Sequence, residues 1–297
     1  MRYLMQALNF LNSNWLYMLW FTIYFSIAWV ILGATLNSFF IVLAIYAISI
    51  AIALSPVGEE ILRFIENCRE PETAQERDYL MPLFEEVYHN AMEMNPKLNR
   101  GIKLYVMDAM YVNAFAIGRK TVAVTRGAIA TFSADELKGV LAHELGHMNH
   151  GHTKALLLSV IGNFFFSVIV WAFRLISRVV QFIANVVAQF NIVALVIAGV
   201  LWFFRLCISL SVFVFINLSE ILLALNSRTN EIQADNFAYE IGYGRELISG
   251  LYLLQKINIT AKPSFSEKIK ASHPHIAHRI GNLERLEQLA TGGYHPQ

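Results

Sequence analysis

His143-Glu144-Leu145-Gly146-His147 sets two imidazoles four positions apart with a carboxylate between them. On a helix, residues i and i+4 share a face, so both rings can reach one divalent ion while Glu144 lies beside the water that the ion activates. The chemistry this suits is metal-assisted hydrolysis. A catalytic zinc site takes three protein ligands and leaves one position open, so a third ligand is required. A metzincin would continue with glycine at position 150 and histidine at position 153, where this chain has His150 and Thr153. His150 and His152 enlarge the cluster, but a helix cannot turn every histidine of such a run toward one ion, and both read as solvated helix-end residues. The strongest source of a third ligand is the stretch from Asn226 to Asp235, where Glu231 and Asp235 are again four apart. One carboxylate can bind the metal while the other orients a ligand histidine.

These groups need elements to hold them. Ser133 with Glu136 three residues later forms a capping box ahead of Leu137, Val140 and Leu141, which predicts that the helix carrying the two histidines starts there. Upstream, Glu59 to Asn99 is acidic and helical in pattern, and Ile102 to Val106 and Thr121 to Val124 read as short strands of a small sheet.

The rest of the chain looks built for lipid. It is 56% hydrophobic and only 15% charged, against roughly 25% charged in a soluble domain. After Arg2 there is no Asp, Glu, Lys or Arg until Glu59. Trp15 to Leu32 suffices for one membrane span, turn residues Gly33, Thr35, Asn37 and Ser38 follow, and Phe39 to Leu54 makes the return. A third span is expected over Ala155 to Phe173 and a fourth between Ile192 and Val214, with Arg205 snorkelling. An amphipathic link from Arg174, relieved by Gln181, Asn185, Gln189 and Asn191, is expected on the membrane surface between them. Two spans between His147 and Glu231 return the chain to the same side, as a shared site requires. Lys and Arg concentrate in the two polar segments, which places those in the cytoplasm.

Net charge is +1, which leaves no electrostatic footprint for nucleic acid. Two cysteines, Cys68 and Cys207, exclude a disulfide framework and a thiolate-rich zinc site, so a metal must use histidine and carboxylate.

Taken in order, the hairpin, Asn113-Ala114-Phe115-Ala116-Ile117-Gly118, the HExxH helix, the second hairpin, Ser227-Arg228-x-x-Glu231-x-x-Ala234-Asp235, and His273-Pro274 with Arg279-Ile280 resemble the HtpX-type integral-membrane zinc metallopeptidases of family M48. The likeness to the CAAX prenyl proteases is more distant. The resemblance implies His143, His147 and Glu231 as ligands of one zinc ion per chain and Glu144 as general base. It implies Asp235 and Arg279 as residues supporting the ligands, His273 as a group stabilising the tetrahedral intermediate, and Asn113, Ala114 and Phe115 as the border of the substrate.

The expected architecture is therefore mainly α: four transmembrane helices plus a cytoplasmic α+β zincin-type catalytic domain with a small β-sheet. The expected parts are a transmembrane hairpin over 1–57, catalytic segments over 58–154 and 218–297, and a second hairpin over 155–217. The expected activity is that of a zinc metalloendopeptidase in protein quality control and stress response, cleaving unfolded or membrane-linked proteins at a prokaryotic inner membrane with its active site facing the cytoplasm. A four-span metal transporter, or a scaffold that binds clients without cleaving them, are the other classes; few ionisable residues lie inside the spans, which disfavours transport.

Overall fold

The structure is a computed structural model describing residues 22–23, 25–30, 32–153, 157, 164–188, 192–260 and 276–291. It is mainly helical with one small mixed sheet. In order, the elements are α1 (Leu36–Ala53), α2 (Pro56–Ile65), β1 (Cys68–Arg69), α3 (Ala74–Met94), β2 (Lys103–Met107), β3 (Ala114–Ile117), β4 (Thr121–Thr125), α4 (Arg126–Thr131), α5 (Ala134–His150), α6 (Phe164–Ala188), α7 (Ile192–Glu240), α8 (Gly244–Thr260) and α9 (Ile276–Ala290). They fall into two compact units, Met1–Ser49 with Asn163–Leu225, and Ile50–Gly162 with Asn226–Gln297.

In the first unit, residues 25–30 are helical, and Ala28 packs with Val42 and Tyr46 of α1. The turn between them is tighter than the sequence suggests. Asn37 and Ser38 belong to the first turn of α1, where Thr35 and Ser38 exchange hydrogen bonds (Thr35 N to Ser38 Oγ 2.9 Å, Ser38 N to Thr35 Oγ1 3.1 Å) and satisfy amides that a helix start leaves open. Among the described residues, α1 is the one helix long and apolar enough to cross a membrane, with a mean hydropathy of 2.3. Half of the span expected over Trp15 to Leu32 and part of the one over Ala155 to Phe173 lie outside the described residues. The link expected from Arg174 is helical: Arg174 and Arg178 sit inside α6, which is continuous from Phe164 to Ala188. Gln181, expected as polar relief on a surface, is buried and donates from Nε2 to Asn185 Oδ1 at 2.9 Å and to Ala198 O at 3.1 Å. Its amide nitrogen thus finds partners on α6 and α7 where the sequence suggested water. The residues of the fourth expected span fall in the first part of α7, a helix that runs unbroken past Arg205 to Glu240.

The second unit holds the sheet, in order β1-β2-β4-β3, with β2 and β4 parallel and β3 antiparallel to β4. All five residues of β4 are buried, as a central strand covered on both faces requires. Leu80, Phe84, Val87 and Ala91 give α3 one apolar stripe, which packs with Leu104 and Val106 of β2, Val122 and Val124 of β4, and Leu137, Leu141 and Leu145 of α5. Leu247 and Leu251 of α8 and Ile280 and Leu283 of α9 complete this core. The two-residue strand β1 has no periodic signal to announce it.

Candidate active site

α5 begins where the capping box puts it: Ser133 accepts from Glu136 N, and Glu136 accepts from Ser133 N at 2.9 Å. It ends at Gly151, whose left-handed conformation (φ 75°) suits a residue without Cβ. The stretch carrying Glu231 and Asp235 is the C-terminal part of α7. Gly146 sets how closely the two helices meet, since a Cβ there would lie 2.8 Å from both Cα and O of Ala234, the residue between the two carboxylates.

That approach gathers His143, His147 and Glu231. The Nε2 atoms of the two histidines are 3.2 Å apart, His147 Nε2 is 3.3 Å from Glu231 Oε1, and His143 Nε2 is 3.5 Å from Glu231 Oε2. A tetrahedral zinc ion with bonds of about 2.0–2.1 Å needs ligand atoms about 3.3–3.4 Å apart, so the donor set fits this metal in both type and spacing. Glu144 is buried on the same helix.

Each imidazole is also held from behind. His143 Nδ1 is 2.9 Å from Asp235 Oδ1. Arg279, on α9, grips the same carboxylate with two donors, Nε to Oδ2 at 2.8 Å and Nη2 to Oδ1 at 2.6 Å, and reaches Glu231 Oε2 at 3.0 Å. Burial opposes ionisation of Asp235, but His143 and Arg279 outweigh it and hold the carboxyl below its ordinary value. For His143, burial and the Arg279 charge both oppose protonation, yet Asp235 and Glu231 prevail and raise the imidazole to about 9. The cradle thus calls for positive charge at this ring, which a divalent ion supplies in place of the proton.

His147 is held by a residue the sequence misassigns. His152, expected as a solvated helix-end group, is half-buried, with Nδ1 3.1 Å from His147 Nδ1 and Nε2 3.0 Å from Gln233 Oε1. Burial first, and the neighbouring His147 next, lower its pKa to about 4, which leaves it neutral. A neutral His152 can accept at Nδ1 from His147 and donate at Nε2 to Gln233, leaving the His147 Nε2 lone pair for a metal. The one available signal was Gly151, which stops the helix and frees His152 from its face. His150 turns away, its Nδ1 2.9 Å from Gly146 O.

β3 is an edge strand. Thr125 N donates to Asn113 O at 3.0 Å, so Asn113, and by alternation Phe115 and Ile117, turn their backbone groups toward β4. Ala114 and Ala116 turn theirs outward, and among the described residues no strand pairs with them. Phe115 packs its side chain against the Ile117 cluster. His273 lies outside the described residues.

Comparison with known proteins places the chain among relatives. The profile of Peptidase family M48 matches residues 75–287. Protease HtpX of Pseudomonas entomophila is 32% identical over 152 residues, 46% of this chain and 49% of its own length. A Protease HtpX homolog of Desulfotalea psychrophila is 30% identical over 203 residues, 61% of this chain and 66% of its own. The chain thus spans about half to two thirds of the length of these relatives. The crystal structure of S. mikatae Ste24p aligns over 95% of this chain and 65% of its own, at 18% identity and a TM-score of 0.43. With the family profile covering more than two thirds of the sequence and both halves of the histidine and carboxylate cluster, the chain belongs to peptidase family M48.

Proposed function

We propose that this chain is a membrane-bound zinc metalloendopeptidase that hydrolyses unfolded or membrane-linked polypeptides in membrane protein quality control. The observation that carries the reading is the cluster of His143 Nε2, His147 Nε2 and the Glu231 carboxylate: the two nitrogens are 3.2 Å apart, His147 Nε2 is 3.3 Å from Oε1 and His143 Nε2 is 3.5 Å from Oε2. Zinc held there would lower the pKa of a water molecule toward about 7 and polarise the scissile carbonyl. Glu144 takes the proton of the attacking water on its carboxylate and passes it to the leaving amine. Asp235 keeps His143 in the tautomer with its proton at Nδ1, Arg279 neutralises the paired carboxylates, and His152 fixes the ring of His147. The outward backbone groups of Ala114 and Ala116 bind the substrate as an added strand, reading backbone more than side chains, which favours broad specificity. Asn113 and Phe115 border that strand, and His273 serves as donor to the developing oxyanion. In this reading the chain crosses a prokaryotic inner membrane four times, with the site on the cytoplasmic side.

The test is cleavage of an unfolded protein by detergent-purified enzyme supplied with zinc, beside Glu144→Gln prepared identically. The variant keeps every proposed ligand. Expected is cleavage by the wild type and a loss of at least about 100-fold in the variant, the share a positioned general base contributes. Equal rates in the two, or zinc binding without cleavage in either, would overturn the assignment.

A further inference from the structure

We infer that the outer face of α2 lies in the interfacial region of the bilayer and holds the β3–β4 hairpin at the membrane surface. α2 starts three residues after α1, the helix with the length and composition of a span, with Pro56 fixing its first turn. Gly58 lies against the end of α1, where a Cβ would strike the carbonyl oxygens of Ile52 and Ala53, so α2 departs tightly from that end.

The helix has two different apolar faces. The inner one is spent within the protein, where Leu62 packs with Ala53, Ile117 and Leu157. Buried Glu59 on the same side accepts from Arg119 N and Lys120 N, both at 3.0 Å, and from Thr121 Oγ1 at 2.6 Å, clasping the turn between β3 and β4. The outer face presents Val57, Ile61, Phe64 and Ile65, all exposed, Phe64 at 82%. At 100° per residue these four fall within an arc of about 100°, a continuous stripe facing away from the core. Leu54, in the connection from α1, is exposed as well.

A bilayer is the occupant because of where the stripe begins. It continues the uncharged run that follows Arg2 and ends at Glu59, and it starts where α1 stops, at the level of the membrane surface. A helix of ten residues is about 15 Å long, and one apolar face suits it to lie in the interface about 5–10 Å deep. Hung from the inner face, the hairpin places the unpaired edge of β3 beside lipid. The lipid contact does not depend on the peptidase reading; its value for capturing membrane-linked chains does.

The test uses the full chain with Cys68→Ser and Cys207→Ser as background. Single cysteines at 57, 61, 64 and 65, and at exposed Lys97 as the aqueous reference, carry a nitroxide label in phosphatidylcholine–phosphatidylglycerol vesicles. Collision with oxygen, which concentrates in lipid, is compared with collision with a water-soluble nickel chelate. Expected is an oxygen-to-nickel ratio about tenfold above that at position 97, as burial to interfacial depth implies. A ratio equal to that at 97 would overturn the inference by placing the face in water. Poor access to both reagents would overturn it in favour of cover by a second copy or another protein.

Discussion

Gly146→Ala tests whether the meeting of α5 and α7 sets the metal site. The added Cβ would lie 2.8 Å from Cα and O of Ala234, about 0.7 Å inside ordinary contact. Both obstacles are backbone, so the helices must separate or bear the strain. Separation is one-sided in its effect. The 3.2 Å separation of the two histidines lies within α5 and stays, while the 3.3 and 3.5 Å separations from Glu231 open; an opening of about 0.7 Å takes them to about 4 Å, beyond what tetrahedral zinc tolerates. Zinc must then pull the helices together against an overpacking cost of about 1–3 kcal/mol. If binding bears all of it, the affinity falls about 5- to 140-fold. Competition with a chromophoric chelator measures this. Gly250→Ala is the control, because its Cβ would sit 3.6 Å from Phe132 Cε1, an ordinary contact. Zinc affinity within twofold of the wild type, with an unchanged Tm, would refute the claim that this contact sets the site.

Asp235→Asn keeps the shape but leaves the Arg279 charge less compensated beside His143, and a zinc affinity lowered about 10- to 100-fold is expected in the same titration. His152→Ala removes the partner of His147 Nδ1; a drop of about tenfold is expected, and none at all would return His152 to the solvated role its sequence suggests. Zinc affinity rises with pH, because His143, raised to about 9, must lose its proton to bind; the slope approaches tenfold per unit below that pH and flattens above it, and a flat profile from 6.5 to 8.5 would refute the sign. Cys68, pushed up to about 11 chiefly by burial and then by Glu66, is expected to react with iodoacetamide at pH 8 at least about 100-fold more slowly than a free thiol, with the rate climbing toward pH 11.

The parts of the site that follow local periodicity were legible. The Ser133 capping box marked the start of α5, and four-residue spacing put His143 with His147, and Glu231 with Asp235, on common helix faces. The structure brings His143, His147 and Glu231 into one group, as the search for a third ligand expected. What stayed hidden depends on long-range partners. The place of His152 rests on Gly151 turning the chain and on Gln233 lying 81 positions away. The lengths of the helices that contain the expected spans stayed hidden for a related reason. Hydropathy reports where side chains prefer lipid, whereas a helix ends only where its backbone bonds do, so α6 runs through Arg174 and α7 runs on past Val214. The strand β1, two residues long, exists because β2 offers it an edge.

The bond network from α5 to α9 also sets a timetable for biosynthesis. His143 and Arg279 are 136 positions apart in the chain, and translation at about 5–20 residues per second separates their appearance by roughly 7–27 s. Throughout that interval a nascent chain has its two histidines but lacks part of the set that holds them. On the proposed reading, the two histidines made early in synthesis gain their full support only when α9 has left the ribosome, so the site is completed late.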